Sequence, residues 1–198
     1  MKAAFVIEHL EEDFWEWCRY EYERIADELA RQGVTLWITN FGNHQFDHPN
    51  VKCSAESCVQ LFEMEKVCLL DSEATSVLSP EDANSFEYFL LGGILGNVDE
   101  FDFDRTSVLR EKGFATRNLG SMQMTTDTAA LVASRIVHQG FRFDQLSFID
   151  RPEFKVDENE MLVMNFRYLT REDGSADIDP RVLELAQNER GFDIQDLE

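Results

Sequence analysis

Phe86-Glu87-Tyr88-Phe89-Leu90-Leu91-Gly92-Gly93-Ile94-Leu95-Gly96 is an apolar run of strand length that stops on glycines. Apolarity through Phe86–Leu91 without polar alternation predicts a strand covered on both faces, the situation of a parallel sheet. A second run of the same kind, Val67-Cys68-Leu69-Leu70, lies upstream and ends on Asp71. It reads as a central parallel strand with a polar residue at its carboxyl tip. A third, Ala3–Ile7, opens the chain and ends on Glu8.

Between these runs the period becomes helical. Phe14, Trp17, Cys18, Glu21, Tyr22, Ile25 and Leu29 recur at spacings of three and four, which predicts a helix from about Glu12 to Gln32, stopped by Gly33. Val34–Thr39 is β-branched and aromatic and closes a β-α-β unit. Asn40–Asn50 reads as loop, and Ala55–Met64 as a short amphipathic stretch. Ser79-Pro80-Glu81-Asp82 has the cap, first-turn proline and first-turn acids of a helix start. Beyond the glycines come a short helix over Asp104–Lys112 ended by Gly113, a strand over Phe114–Asn118, and a helix over Thr125–Gln139 stopped by Gly140. Gln145–Ile149 and Met161–Leu169 read as strands joined by a rigid turn, Asp150–Phe154. The expected architecture is α/β, a mainly parallel sheet with helices on both faces. It spans residues 1–169, with a small acidic C-terminal extension, residues 170–198, carrying one amphipathic stretch at Pro180–Gln187.

Composition narrows the function. With 198 residues and 43% hydrophobic content, the chain has enough material for one core with appendages. No run approaches the ~20 apolar residues of a membrane span, and Met1–Ile7 meets Glu8 too soon for a signal sequence. A cytoplasmic protein is expected, with Cys18, Cys53, Cys58 and Cys68 reduced. Net charge is −21, from 39 acids against 18 bases. That repels polyanions and argues against a nucleic-acid footprint, while a basic protein partner suits it. High-salt adaptation explains the acidity equally well, since 13 of the bases are arginine and five are lysine.

In an open α/β sheet, ligands bind beyond the carboxyl ends of the strands. Three such ends stand out: Leu70-Asp71, Leu91-Gly92-Gly93-Ile94-Leu95-Gly96, and Asn118-Leu119-Gly120-Ser121-Met122-Gln123-Met124-Thr125-Thr126. Glycines there allow close approach of a ligand, exposed backbone groups can read an adenine edge, and Leu119, Met122 and Met124 offer apolar walls. Gly92-Gly93-x-x-Gly96 lacks dinucleotide spacing and no P-loop lysine follows; taken alone, such glycines more often make a tight turn. His44, His48, Cys53 and Cys58 bring metal-ligand types together, but their spacing fits a structural zinc site poorly, and no metal is expected. Glu8, Glu11, Glu12, Asp13 and Glu16 crowd the first strand's tip; most read as a solvated helix start, with Glu8 the exception. A second acidic loop, Asp99, Glu100, Asp102 and Asp104, follows the glycines.

Taken in order, Val6–Glu11, Val67–Asp71, Leu78–Ala83, Gly92–Gly96, Asp104–Thr106, Met122–Ala129, Phe148–Asp150 and Pro152–Phe154 form a recognisable set. Over Ala3 to Leu169 the chain resembles the SPOUT-type methyltransferase family that includes the yeast ribosomal-protein arginine methyltransferase and archaeal relatives. The resemblance implies a C-terminal-side trefoil knot and S-adenosylmethionine as cofactor. It assigns the cofactor to Leu70, Asp71, Gly92, Gly93, Ile94, Leu95, Gly96, Leu119, Gly120, Ser121, Met122, Gln123, Met124, Thr125, Thr126 and Thr128. It implies a basic protein substrate, a small-subunit ribosomal protein, whose arginine enters beside Asp99–Asp104. Carboxylates would grip the guanidinium, whose pKa lies above 12. Glu8 and Asp104 are the catalytic candidates, with Glu11 behind them. An RNA methyltransferase and a non-catalytic S-adenosylmethionine-binding or assembly protein are the alternatives, and monomer and homodimer both stay open.

Overall fold

The computed structural model describes residues 2–94, 106–156 and 161–188. Six parallel strands form the sheet: β1 (Ala4–His9), β2 (Leu36–Thr39), β3 (Val51–Cys53), β4 (Val67–Leu70), β5 (Tyr88–Gly93) and β6 (Ala115–Arg117), in the order β3-β2-β1-β5-β4-β6. The predicted apolar runs are its buried middle, with β1 paired to β5 from Ala4↔Tyr88 to His9↔Gly93. The pleat sends Phe5, Ile7, Phe89, Leu91, Cys68 and Leu70 to one face and Val6, Leu90, Val67 and Leu69 to the other.

The first face is covered by α1 (Glu16–Arg31) and α4 (Thr126–Gln139), which pack against each other. Among the described residues the second carries only short helices, α2 (Cys58–Leu61) and α3 (Ser107–Arg110), through Cys58 and Leu109. The expected α/β sheet with helices on both faces is thus observed.

Several boundaries differ from expectation. The first helix starts at Glu16, not Glu12, because Phe14 packs from the preceding loop against Phe41 and His9 and cannot also continue a helical stripe. Ser79-Pro80 opens a 3-10 turn, Pro80–Asn84, that returns directly to β5. Met161–Leu169 is not one strand: β9 (Met161–Val163) pairs with β8 (Glu153–Lys155), and β10 (Arg167–Leu169) with β7 (Phe148–Asp150), both antiparallel. Beyond β10, Ala176, Ile178 and Val182 of α5 (Pro180–Asn188) join Met164 and Tyr168 in a third cluster, on which Trp17 and Tyr20 of α1 pack. The four cysteines are free thiols. Among the described residues no helix is long and apolar enough to cross a membrane.

Candidate functional site

Because the six strands are parallel, their carboxyl ends share one edge of the sheet. On the β1–β2 side that edge is closed. Glu8, at the tip of β1, is 3% exposed. Its Oε2 accepts from the Thr39 hydroxyl at 2.5 Å and the Cys58 N–H at 2.9 Å, and its Oε1 from the Ser57 hydroxyl at 2.5 Å. The carboxylate therefore holds the start of α2 against β1 and β2. Burial, then Glu8, pushes the Cys58 thiol up to about 12, so it stays protonated.

Gly92 and Gly93 are part of β5 rather than a loop after it, paired with Glu8 and His9. A Cβ on Gly93 would lie 2.1 Å from the Tyr22 hydroxyl and 2.8 Å from Ile7 Cγ2. That hydroxyl bonds His9 Nδ1 at 2.9 Å. Burial first, and His44 second, lower the His9 pKa, so the ring is neutral inside a box of Phe14, Tyr22, Phe41 and His44. Gly93 is thus required by the His9–Tyr22 pair. Ile94 is half-buried; Leu95, Gly96, the acids Asp99–Asp104 and therefore Asp104 lie outside the described residues. Glu11 is half-buried on the loop after β1.

The β4–β6 side is held by long-range pairs. Asp71 takes a bidentate guanidinium from Arg110, Nε to Oδ2 at 2.5 Å and Nη2 to Oδ1 at 2.6 Å. Burial favours its neutral form, but the Arg110 and Glu73 N–H hydrogen bonds win, and its pKa falls below the ordinary carboxylate value. Asn118 joins two loops: its amide donates to Ala74 O at 2.7 Å and its side-chain oxygen accepts from Gly120 N–H at 3.0 Å.

The loop from Leu119 to Thr125 follows. Gly120 is left-handed at φ +84, and a Cβ there would meet Phe143 at 2.7 Å. Leu119 is buried, Met124 half-buried, and Met122 38% exposed; Ser121 and Gln123 are exposed. Arg167 N–H donates to Gln123 O at 2.9 Å, and Met124 bridges to Arg167. The Thr125 hydroxyl lies 2.6 Å from Asp127 Oδ1 and 2.8 Å from the Thr128 hydroxyl; Thr126 and Thr128 are buried in the first turn of α4. Among the described residues, no hydrogen bond engages the backbone of Leu119, Ser121 or Met122. That leaves donors and acceptors beside apolar side chains, the combination a flat heteroaromatic ligand needs.

The structure thus brings Leu70, Asp71, Gly92, Gly93, Ile94 and the Leu119–Thr128 segment to one edge. Sequence reading included Asn118 and Asp127 in these segments without giving them a role, and it missed Arg110 and Arg24, whose pairs span 39 and 103 residues. His44, His48, Cys53 and Cys58 go to separate tasks. His44 packs on Phe41, His48 faces Asp27 at 3.3 Å, Cys53 is exposed and Cys58 is buried. Among the described residues, no His, Cys, Asp or Glu triplet is arranged to hold a metal ion.

Comparison with known proteins matches residues 4–191 to the family described as protein arginine N-methyltransferase SFM1-like. Protein arginine N-methyltransferase SFM1 of Saccharomyces cerevisiae is 34% identical over 98% of both chains. The crystal structure of the yeast arginine methyltransferase SFM1 complexed with SAM superposes with a TM-score of 0.83 at 33% identity, covering 95% of this chain and 91% of that one. A dual-specific Trm10 from Thermococcus kodakaraensis shares the fold, with a TM-score of 0.54 at 15% identity over 72% of this chain and 96% of its own.

Proposed function

That the chain belongs to the SFM1-like protein arginine N-methyltransferase family is the premise from which we propose its function: S-adenosylmethionine-dependent methylation of an arginine in a basic protein. The observation that carries this reading is the identity of 34% across 98% of both chains, beside a family match over residues 4–191.

The residues present suit the cofactor. Among the described residues, the backbone groups of Leu119, Ser121 and Met122 have no hydrogen-bond partner, and Leu70, Leu119, Met122 and Met124 supply apolar surface for an adenine. Gly120 lets the chain turn there without a Cβ. Bound S-adenosylmethionine supplies an electrophilic methyl group. The chain's own task is positioning: holding a guanidinium nitrogen in line and accepting its remaining N–H groups, which a cation of pKa above 12 does not release unaided. We assign that grip to Glu11 and Asp104. Glu8 is committed to Thr39, Ser57 and Cys58, and acts by fixing the tip of β1. The trefoil knot around Leu119–Thr128 belongs to the same proposal, supported by the fold likeness.

The substrate reading rests on charge. A chain with 39 acids and 18 bases attracts a basic protein, of which a small-subunit ribosomal protein is the proposed example, and opposes RNA. Free thiols at all four cysteines support a cytoplasmic location. The test is incubation of the purified chain with radiolabelled S-adenosylmethionine and ribosomes. Label in one basic protein band, resistant to nuclease and recovered as methylarginine, is expected; label in RNA, or none, overturns the reading.

A further inference from the structure

The loop with the open backbone groups is anchored from outside the sheet. Asp127, in the first turn of α4, is buried and collects three donors. Its Oδ2 takes Arg24 Nη1 at 2.5 Å, and its Oδ1 takes the Thr128 N–H at 2.7 Å and faces the Thr125 hydroxyl at 2.6 Å. Arg24 sits in the middle of α1, its side chain 15% exposed, and its other nitrogen, Nη2, pairs with Asp177 at 2.7 Å. One planar guanidinium therefore spans two carboxylates from elements 50 residues apart, a task its fork geometry suits and an ammonium does not.

Asp177 is itself held. Its N–H donates to Leu169 O at 2.7 Å, and its carboxylate also receives Arg171 Nε at 3.1 Å. It belongs to the segment after β10 that leads into α5, packed on α1 through Ile178 and Val182. The other end of the anchor is Arg167, whose backbone holds Gln123. The loop is thus fixed at Gln123 and at Thr125–Thr128, while Ser121 and Met122, between Gly120 and those anchors, have no backbone bonds among the described residues. Where the open groups point is set by the anchors.

We propose that Arg24 is a positioning residue for cofactor binding: bridging Asp127 to Asp177, it makes the shape of the Leu119–Thr128 loop depend on the C-terminal extension. This rests on the reading of that loop as the S-adenosylmethionine site. The path from Asp177 through Arg24 and Asp127 to Thr125 is the one that reaches the loop end, the longer Arg135–Asp177 pair at 4.0 Å meeting α4 two turns further on, so breaking either arm of Arg24 releases the same loop end.

The experiment titrates S-adenosylhomocysteine calorimetrically into the full chain and its Arg24→Met, Arg24→Lys, Asp177→Asn and Arg24→Met/Asp177→Asn variants. Amide exchange of residues 123–128 is followed in the same proteins without ligand. Arg24→Met and Asp177→Asn should each weaken binding about tenfold, and the double variant should be no weaker than Arg24→Met, because both break one path. Arg24→Lys should fall between, since it keeps the charge and loses the second arm. Faster exchange at residues 123–128 should accompany each loss. Folded Asp177→Asn and Arg24→Lys proteins with parental affinity and exchange overturn the proposal, even where Arg24→Met fails to fold. If the parent itself does not bind S-adenosylhomocysteine, the cofactor reading falls, and faster exchange in Asp177→Asn still sustains the brace.

Discussion

The carboxyl edge of the sheet has two halves built on opposite rules. At the β1–β2 tip a buried carboxylate is fully subscribed: Glu8 accepts from Thr39, Ser57 and Cys58, and the space beside it, over Gly93, is filled by Tyr22. At the β6–α4 turn the polar groups are backbone, and those of Ser121 and Met122 have no partner among the described residues. A buried polar group without a partner costs on the order of 1–3 kcal/mol, so a fold leaves such groups open where solvent or a ligand reaches them. The first half spends its polar groups on internal bonds and the second keeps backbone groups open among the described residues, although both looked like ligand-bearing strand ends in the sequence.

The largest effect that tests this contrast is Glu8→Gln. The amide nitrogen would face donors where an acceptor stood, leaving buried hydroxyl and N–H groups unsatisfied. A loss of about 2–4 kcal/mol in urea denaturation is expected. Full stability with lost turnover would instead make Glu8 a catalytic group and erase the distinction between the halves. Next come the two glycines. Gly93→Ala puts a Cβ 2.1 Å from the Tyr22 hydroxyl, and overpacking of that kind costs about 1–3 kcal/mol. Tyr22→Phe in the same chain should recover part of the loss in thermal melts. Gly120→Ala meets Phe143 and a left-handed φ of +84, and should lower S-adenosylhomocysteine affinity as well as stability. Equal effects of both glycine variants on affinity would show that the closed half also holds cofactor.

Much of the framework beneath both halves was legible in advance. Val67–Leu70 and the core of β5 read as strands because a parallel strand buried on both faces needs unbroken apolarity, and α4 read well because Gly140 ends it at φ +78. The open half was legible as a position and not as a mechanism. Leu119–Thr125 follows a strand, which locates it, but what shapes it is Arg24 reaching Asp127 across 103 residues and Arg167 reaching Gln123. No local pattern encodes such a pair. Phe14 misled for a related reason: it has helical spacing with Cys18 and Tyr22, yet its ring is spent on His9 and Phe41, so the helix begins after it. Met161–Leu169 split because Met164 turns into the third cluster, an event decided by the partner surface on α1.

The foundation of the open half gives two smaller tests. Glu21 is buried on α1, and burial, reinforced by Asp127, holds its pKa well above the ordinary glutamate value. The folded state therefore binds a proton that the unfolded chain has released. Stability is fully present below the unfolded pKa and declines as pH rises from about 4.3 through the folded value. Glu21→Gln should flatten that limb in melts taken from pH 5 to 9, while leaving the acid limb set by Asp71 in place. An unchanged slope would mean that Glu21 is ionised beside Asp127 and that Arg24 neutralises both. The smallest effect is expected at Tyr168, whose hydroxyl is buried near these groups without a hydrogen-bond partner among the described residues. Tyr168→Phe removes an unsatisfied polar atom and keeps the ring that packs with Met164 and Ile178. Stability should stay level or rise by up to about 1 kcal/mol. A loss of that size would mean that the hydroxyl is bonded to the Glu21–Asp127–Arg24 group, and that the loop's anchor extends one residue further into β10.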